Sequence, residues 1–239
     1  MTNKQVKIDV WSDYVCPFCY LEQPVLDRIE KEFAGAVEIT WRAFELRPDP
    51  EPTLDPKGEY LRDIWARAVY PMADQRGMIL RLPPVQPRSR LAHEAVAFAR
   101  ARGKATELNE ALFQAFFVSG DDIGELDIIL RHAAGPGLEV ATLRRALTER
   151  VYCDEVLADE ELARTLGVSG VPAITRAARA IRRERGDTRG RPALRSRAEI
   201  RGAFRRHNSR RIQIVTHEKH WVTSPNKLQY CCTCNNKLT

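Results

Sequence analysis

The sequence predicts an α/β fold with a large inserted all-helical domain, and three observations carry that expectation. The chain opens on an alternating apolar run, Val6-Lys7-Ile8-Asp9-Val10-Trp11, which reads as a strand. A helical stripe and a second alternating run follow it, completing a βαβ unit. From about Glu59 to Leu166 the apolar residues then recur at helical period almost throughout.

Each element has its own signal. Pro17 suits the first turn of a helix, where its missing N–H costs nothing. Leu21, Val25, Leu26, Ile29 and Phe33 follow at helical spacing, and Gly35 stands where a C-terminal cap belongs. Val37, Ile39, Trp41 and Ala43 alternate as the second strand, expected to lie parallel to the first. The Pro-rich stretch from Pro48 to Pro56 reads as an exit loop. In the helical block, Leu91, Ala95, Val96 and Ala99 form one stripe, closed by Gly103. Leu108, Leu112, Phe113, Phe116 and Phe117 form another; Ile123, Leu126, Ile129 and Leu130 a third; Val140, Leu143 and Leu147 a fourth. Val156, Leu162, Ala163 and Leu166 carry the pattern to Gly167. These stripes are core faces rather than cofactor boxes. Gly167-Val168-Ser169-Gly170-Val171-Pro172 then reads as a turn feeding a short strand, with proline at its entrance.

Composition narrows the classes. At 239 residues and 44% hydrophobic content the chain can bury a substantial core. No run of 18 apolar residues occurs, so a transmembrane helix is not expected, and no secretory signal is visible. The expected location is therefore the cytoplasm, where closely spaced cysteines are catalytic or metal-binding more often than structural. The net charge of +6 averages two unlike pieces: residues 1–174 carry −7 and residues 175–239 carry +13. The basic balance belongs to the tail, so nucleic acid is not the expected partner of the body.

Chemistry concentrates at Cys16-Pro17-Phe18-Cys19. Two cysteines separated by two residues can close a small disulfide and reopen it. Where a strand hands over to a helix, the first thiol meets unpaired backbone N–H groups and the positive end of the helix dipole. Such a setting favours the thiolate, which is the nucleophile. A zinc half-site is the competing reading, but it needs a second ligand pair. The other cysteines, Cys231, Cys232 and Cys234, with His217 and His220 upstream, are poorly spaced for one, and no metal is expected. Cys153 reads as a buried small hydrophobe, with a third redox thiol as the sharper alternative. His93, between apolar residues on a helix, reads as a satisfied, partly buried histidine, and His132 is weaker still as a candidate. Trp41, Trp65, Phe113, Phe116 and Phe117 read as core, a few of them lining a groove beside the CxxC helix.

Ser12-Asp13-Tyr14-Val15-Cys16-Pro17-Phe18-Cys19-Tyr20, a long helical insertion and the Val171-Pro172 turn together resemble the DsbA-like oxidoreductases with a thioredoxin-like fold. Within these the chain is most similar to the FrnE branch. Phe44-Glu45-Leu46-Arg47-Pro48, Arg90-Leu91-Ala92-His93 and Gly120-Asp121-Asp122-Ile123-Gly124 also match that branch. The resemblance covers residues 5–174. It implies a thioredoxin-like domain in two parts, 1–58 with the CxxC and 151–174 with a return helix and a cis-proline strand, flanking a helical insertion at 59–150.

The resemblance further implies that Cys16 is the exposed nucleophile and Cys19 the buried resolving thiol. Pro172 then matches a cis-proline facing the disulfide, Val171 offers backbone to an extended substrate, and Pro17 and Phe18 complete the active-site motif. The implied activity is thiol–disulfide oxidoreduction or isomerisation, with thiol- or disulfide-containing proteins or small molecules as partners. No cofactor is implied beyond the redox-active Cys16–Cys19 pair, with glutathione as a potential co-substrate. Two other readings stay open: a glutathione-dependent isomerase of aromatic or polyketide-type small molecules on the same fold, and a redox-sensing or nucleic-acid-binding protein acting through its basic tail.

The tail departs from this pattern. From Thr175 an Arg/Ala/Gly-rich stretch replaces the hairpin strand and final helix that the fold calls for, and after Ile212 arginine vanishes. The expectation is a reading frame that slips near residue 175 of a GC-rich gene, leaving residues 175–239 as an atypical, disordered or non-native tail.

Overall fold

The computed structural model describes residues 5–176, 222–224 and 227–229. The tail expectations, including the frame slip, the cysteine cluster, His217 and His220, lie outside the described residues.

Strand β1 (Val6–Ser12) leads through a short loop into helix α1 (Pro17–Glu32), which returns to strand β2 (Val37–Ala43). β1 and β2 pair in parallel from Val6↔Val37 to Ser12↔Ala43. Strand β3 (Ala173–Arg176) adds antiparallel on the other side of β1, from Trp11↔Ala173 to Ile8↔Arg176. The sheet order is therefore β2-β1-β3, with β1 central and the CxxC at its C-terminal end. Ligand and active sites of open α/β sheets lie at such strand ends. Strands β4 (Val222–Ser224) and β5 (Lys227–Gln229) form a separate antiparallel pair.

The helical block is present but less regular than its periodicity implies. Helix α2 (Glu59–Ile64) passes through a π-helical turn, Trp65–Val69, into α3 (Tyr70–Arg76). Residues 78–89 are not helical, contrary to the expectation of nearly continuous helix. Pro83, Pro84 and Pro87 lack the N–H a helix needs there. Arg81 N–H instead bonds the Phe117 carbonyl at 2.8 Å, fastening this segment to the neighbouring helix. Then come α4 (Arg90–Arg100), α5 (Ala105–Gln114) running into a π-helical turn at Ala115–Ser119, α6 (Leu126–Ala134), α7 (Val140–Thr148) and α8 (Cys153–Thr165). Gly103 and Gly167, each at φ +67°, close α4 and α8 as expected; Gly35, at φ +76°, turns the chain from α1 toward β2.

The opening βαβ unit and the helical block share one continuous core, in which Trp11, Cys19 and Leu21 meet Leu112, Phe113 and Phe117. Tyr20 of α1 stacks on Phe113 and Phe117 at centroid distances of 5.5 and 5.7 Å. These aromatic residues act as packing between α1 and α5, and Trp65, Phe113, Phe116 and Phe117 are buried as expected. Among the described residues no helix is long and apolar enough to cross a membrane.

Candidate active site at the start of helix α1

Cys16 is the N-cap of α1, in extended conformation at φ −94° and ψ 109°, with Pro17 as the first helical residue. The helix's free N–H groups therefore start beside its sulfur. The Cys16 carbonyl accepts from Cys19 N–H at 3.1 Å and, in the first i→i−4 bond of the helix, from Tyr20 N–H at 3.4 Å. Cys16, Cys19 and Cys153 are all free thiols.

The Val171–Pro172 peptide is cis. Val171 lies against the CxxC from 155 residues away, and Cys16 Sγ donates to the Val171 carbonyl at 3.5 Å. Cys16, Cys19, Val171 and Pro172 are thus brought together, with Pro17 and Phe18 between the two thiols. One expectation is corrected: Cys16 is buried, at 3% exposure, rather than open to solvent. The Val171 carbonyl lies against its sulfur.

Cys19 is fully enclosed. Burial pushes its thiol well above the ordinary range, and the neighbouring Cys16 sulfur adds to that; the Asp13 N–H and the Ser12 hydroxyl pull the other way. The Ser12 hydroxyl approaches the thiol without a regular hydrogen bond.

Around this pair the structure assembles a polar shell that the sequence did not assign. Asp13, fully buried, receives Leu46 N–H on Oδ2 at 2.6 Å and Val15 N–H on Oδ1 at 3.4 Å, while its carbonyl receives Cys16 N–H at 3.1 Å. It therefore ties the loop before Cys16 to the Phe44–Pro48 segment. The signal was an acidic residue three positions before a cysteine, legible only once a loop was known to fold over it.

His93 on α4 places Nε2 3.6 Å from Asp13 Oδ1. It is buried as expected, yet its Nε2 has no hydrogen-bond partner in the protein, which corrects the expectation of a satisfied histidine. His132 pairs with Asp121 at 2.7 Å, in the Gly120–Gly124 segment.

A second charged cluster joins Glu45, Arg90 and Glu160. Arg90 contacts Glu45 directly and Glu160 at 3.5 Å. Burial pushes the Glu45 carboxyl up to about 7 even though Arg90 draws it down. Cys153 is not the buried hydrophobe expected. It is half-buried at the first position of α8, 4.0 Å from Arg90 Nη1 and 3.8 Å from Arg150 Nη2.

The chain belongs to the DsbA-like thioredoxin domain family, whose model matches residues 7–181. It is 39% identical over 152 residues to a protein of Bacillus subtilis (strain 168) described as uncharacterized protein YwbO, covering 62% of this chain and 75% of that one. Among solved structures, a probable DsbA oxidoreductase from Streptomyces coelicolor is similar at 25% identity and a TM-score of 0.58, over 72% of this chain and 80% of the other. The cytosolic disulfide reductase DsbM from Pseudomonas aeruginosa, solved with GSH, shares the fold at 20% identity and a TM-score of 0.57, over 71% and 85%. A 2-hydroxychromene-2-carboxylate isomerase shares it at 17% identity and a TM-score of 0.59, over 72% and 85%.

Proposed function

We propose that this protein is a thiol–disulfide oxidoreductase in which Cys16 is the nucleophile and Cys19 resolves the mixed disulfide. The observation that carries this is the placement of Cys16 Sγ at the α1 N-cap, 3.5 Å from the carbonyl of Val171 in the cis Val171–Pro172 turn, with Cys19 enclosed one helical turn on.

The chemistry follows from that order. The Cys16 thiolate attacks one sulfur of a substrate disulfide, the substrate S–S bond breaks, and one half leaves as a thiolate. Cys19 then loses its proton and attacks Cys16 Sγ, and the second half leaves with the electron pair of the broken bond. The substrate is reduced by two electrons and the Cys16–Cys19 pair is oxidised; run backwards, the same steps oxidise a dithiol. Cys16 is the N-cap of α1, so the reacting sulfur belongs to the residue at the helix N-terminus in both directions. Val171 offers its backbone to an extended substrate segment, and glutathione is a natural small thiol partner for the pair.

The presence of two thiols favours this reading over a glutathione-dependent isomerase, whose chemistry needs no resolving cysteine. Insulin reduction, or refolding of scrambled ribonuclease, compared between wild type and Cys16→Ser tests it. Wild type should turn over and Cys16→Ser should fall to the uncatalysed rate; equal rates would remove the proposal. Glutathione-dependent isomerisation that survives Cys19→Ser would support the isomerase instead.

A further inference from the structure

Arg90 on α4 spreads its guanidinium over three groups. Nε contacts the Glu45 carboxylate, Nη2 stands 3.5 Å from Glu160 Oε2, and Nη1 stands 4.0 Å from Cys153 Sγ. A second guanidinium meets the same sulfur: Arg150 Nη2 is 3.8 Å from Cys153 Sγ and 2.7 Å from Glu94 Oε1. Each cation is thus held by at least one carboxylate and presents one nitrogen to the thiol. Glu45 and Glu94 are buried, so the anchors of both cations are themselves fixed.

Glu94 adds an independent observation. Its side chain is wholly buried, yet neither carboxylate oxygen completes a hydrogen bond among the described residues. Oε1 faces the very Arg150 nitrogen that faces the sulfur, and Oε2 has no contact of its own. Burial pushes this carboxyl up while Arg150, and then Arg90, draw it down, so it stands in the field of both guanidiniums. A buried carboxylate without a donor calls for one from a water or a bound group. Cys153 itself is half-buried, so a small reagent reaches it.

The cluster therefore sets two N–H donors and one open acceptor around a single thiol. A disulfide has no N–H or O–H for the carboxylate. A hydroperoxide both accepts and donates hydrogen bonds, and a thiol can reduce it. We propose that Cys153 is a hydroperoxide-reactive thiol, oxidised to a sulfenic acid at a site built by Arg90, Arg150 and Glu94. No step of disulfide exchange at Cys16 uses this cluster, so the site stands apart from that reading.

Atoms and electrons balance. A sulfur lone pair attacks the terminal oxygen of R–O–O–H, the S–O bond forms and the O–O bond breaks. The electron pair of that bond leaves with the R–O oxygen, which takes up the proton lost by sulfur. It departs as an alcohol, or as water when R is hydrogen. Sulfur is oxidised by two electrons and the peroxide is reduced by two. Negative charge develops on the departing oxygen, and the two guanidinium nitrogens are donors fixed beside the sulfur to meet it. Glu94 accepts from the O–H of the reagent and then of the sulfenic acid. A small thiol condenses with that acid, releasing water, and a second thiol reduces the mixed disulfide and restores Cys153.

The test treats fully reduced, full-length protein with hydrogen peroxide and dimedone, which traps sulfenic acids. Labelling at each cysteine is read by mass spectrometry after digestion. Cys153 should be labelled about tenfold faster in the folded protein than in the same protein unfolded in urea, although folding half-buries it. Access alone predicts the reverse order. Arg150→Asn removes one guanidinium at a residue whose φ is +57°, a conformation asparagine tolerates. It should slow labelling of the folded protein about tenfold, less than the loss of a fully buried donor, because Arg150 is half-exposed. Arg144→Asn removes an α7 arginine that pairs with Asp127 instead, and should leave the rate within about twofold. Glu94→Gln, which frees the Arg150 guanidinium, should slow labelling in the same direction and serves if Arg150→Asn does not fold. Labelling no faster in the folded protein than in urea overturns the proposal. So does an unchanged rate in folded Arg150→Asn or Glu94→Gln, or equal slowing by Arg144→Asn. The readout is at Cys153, so none of these results depends on whether Cys16 exchanges disulfides.

Discussion

At the scale of single residues, the candidate site places two buried thiols in different surroundings. Cys16 sits where free helix N–H groups begin, and Cys19 sits where burial holds its proton. The strand-to-helix placement of Cys16 and Cys19 and the turn at Val171–Pro172 were legible in the sequence because short motifs mark such geometry. Asp13, Asn109 and Arg90 were not, because each acts through a partner 33 to 95 residues away, a distance that only folding closes. Cys153 illustrates the opposite error: read as a buried hydrophobe, it stands within reach of Arg150, three residues before it, and of Arg90, 63 residues away. Glu45 offers a pH test at this scale. Burial raises its carboxyl from the ordinary 4.5 to about 7, so the folded state holds a proton that the unfolded chain has released across that window. The associated stability is full below about 4.5 and is lost as pH rises through about 7. Urea midpoints measured between pH 5 and 7.5 should therefore fall more for wild type than for Glu45→Gln; parallel profiles would contradict this.

At the scale of elements, helix period and strand alternation located nearly every piece, since both are repeats a chain carries locally. The π-helical turns at Trp65–Val69 and Ala115–Ser119 were not read from the sequence, because each is a single local turn inside a longer helical run. Helix α8 shows how a charged residue becomes part of a core. Its inner face presents Asp159 between Val156 and Ala163. Asp159 Oδ1 receives Arg42 at 2.8 Å, its Oδ2 receives Ala43 N–H at 3.2 Å, and its carbonyl receives Trp11 Nε1 at 3.2 Å. Arg42 also reaches Asp9 at 2.9 Å, so β1, β2 and α8 are clamped by one guanidinium and two buried carboxylates. Removing one partner of a buried pair leaves the other uncompensated, at a cost of about 3 to 5 kcal/mol. Asp159→Ala should lower unfolding stability by about that amount in urea titration. A loss below about 1 kcal/mol would show that Arg42 finds equal compensation elsewhere.

At the scale of the whole molecule, the chain divides by charge near residue 175, into a body of −7 and a tail of +13. The family match ends at residue 181, close to that same point. We therefore keep the expectation of a slipped reading frame as a proposal. The nucleotide sequence around codon 175 should reveal it, and an intact native mass that includes residues 175–239 would refute it. The central claim concerns the body alone, and trapping tests it most directly. Cys19→Ser, incubated with oxidised glutathione or insulin and digested without reductant, should accumulate a mixed disulfide at Cys16 by mass spectrometry, while Cys16→Ser should accumulate none at Cys19. An adduct on Cys153 in place of Cys16, or no adduct on either active-site cysteine, would contradict the account.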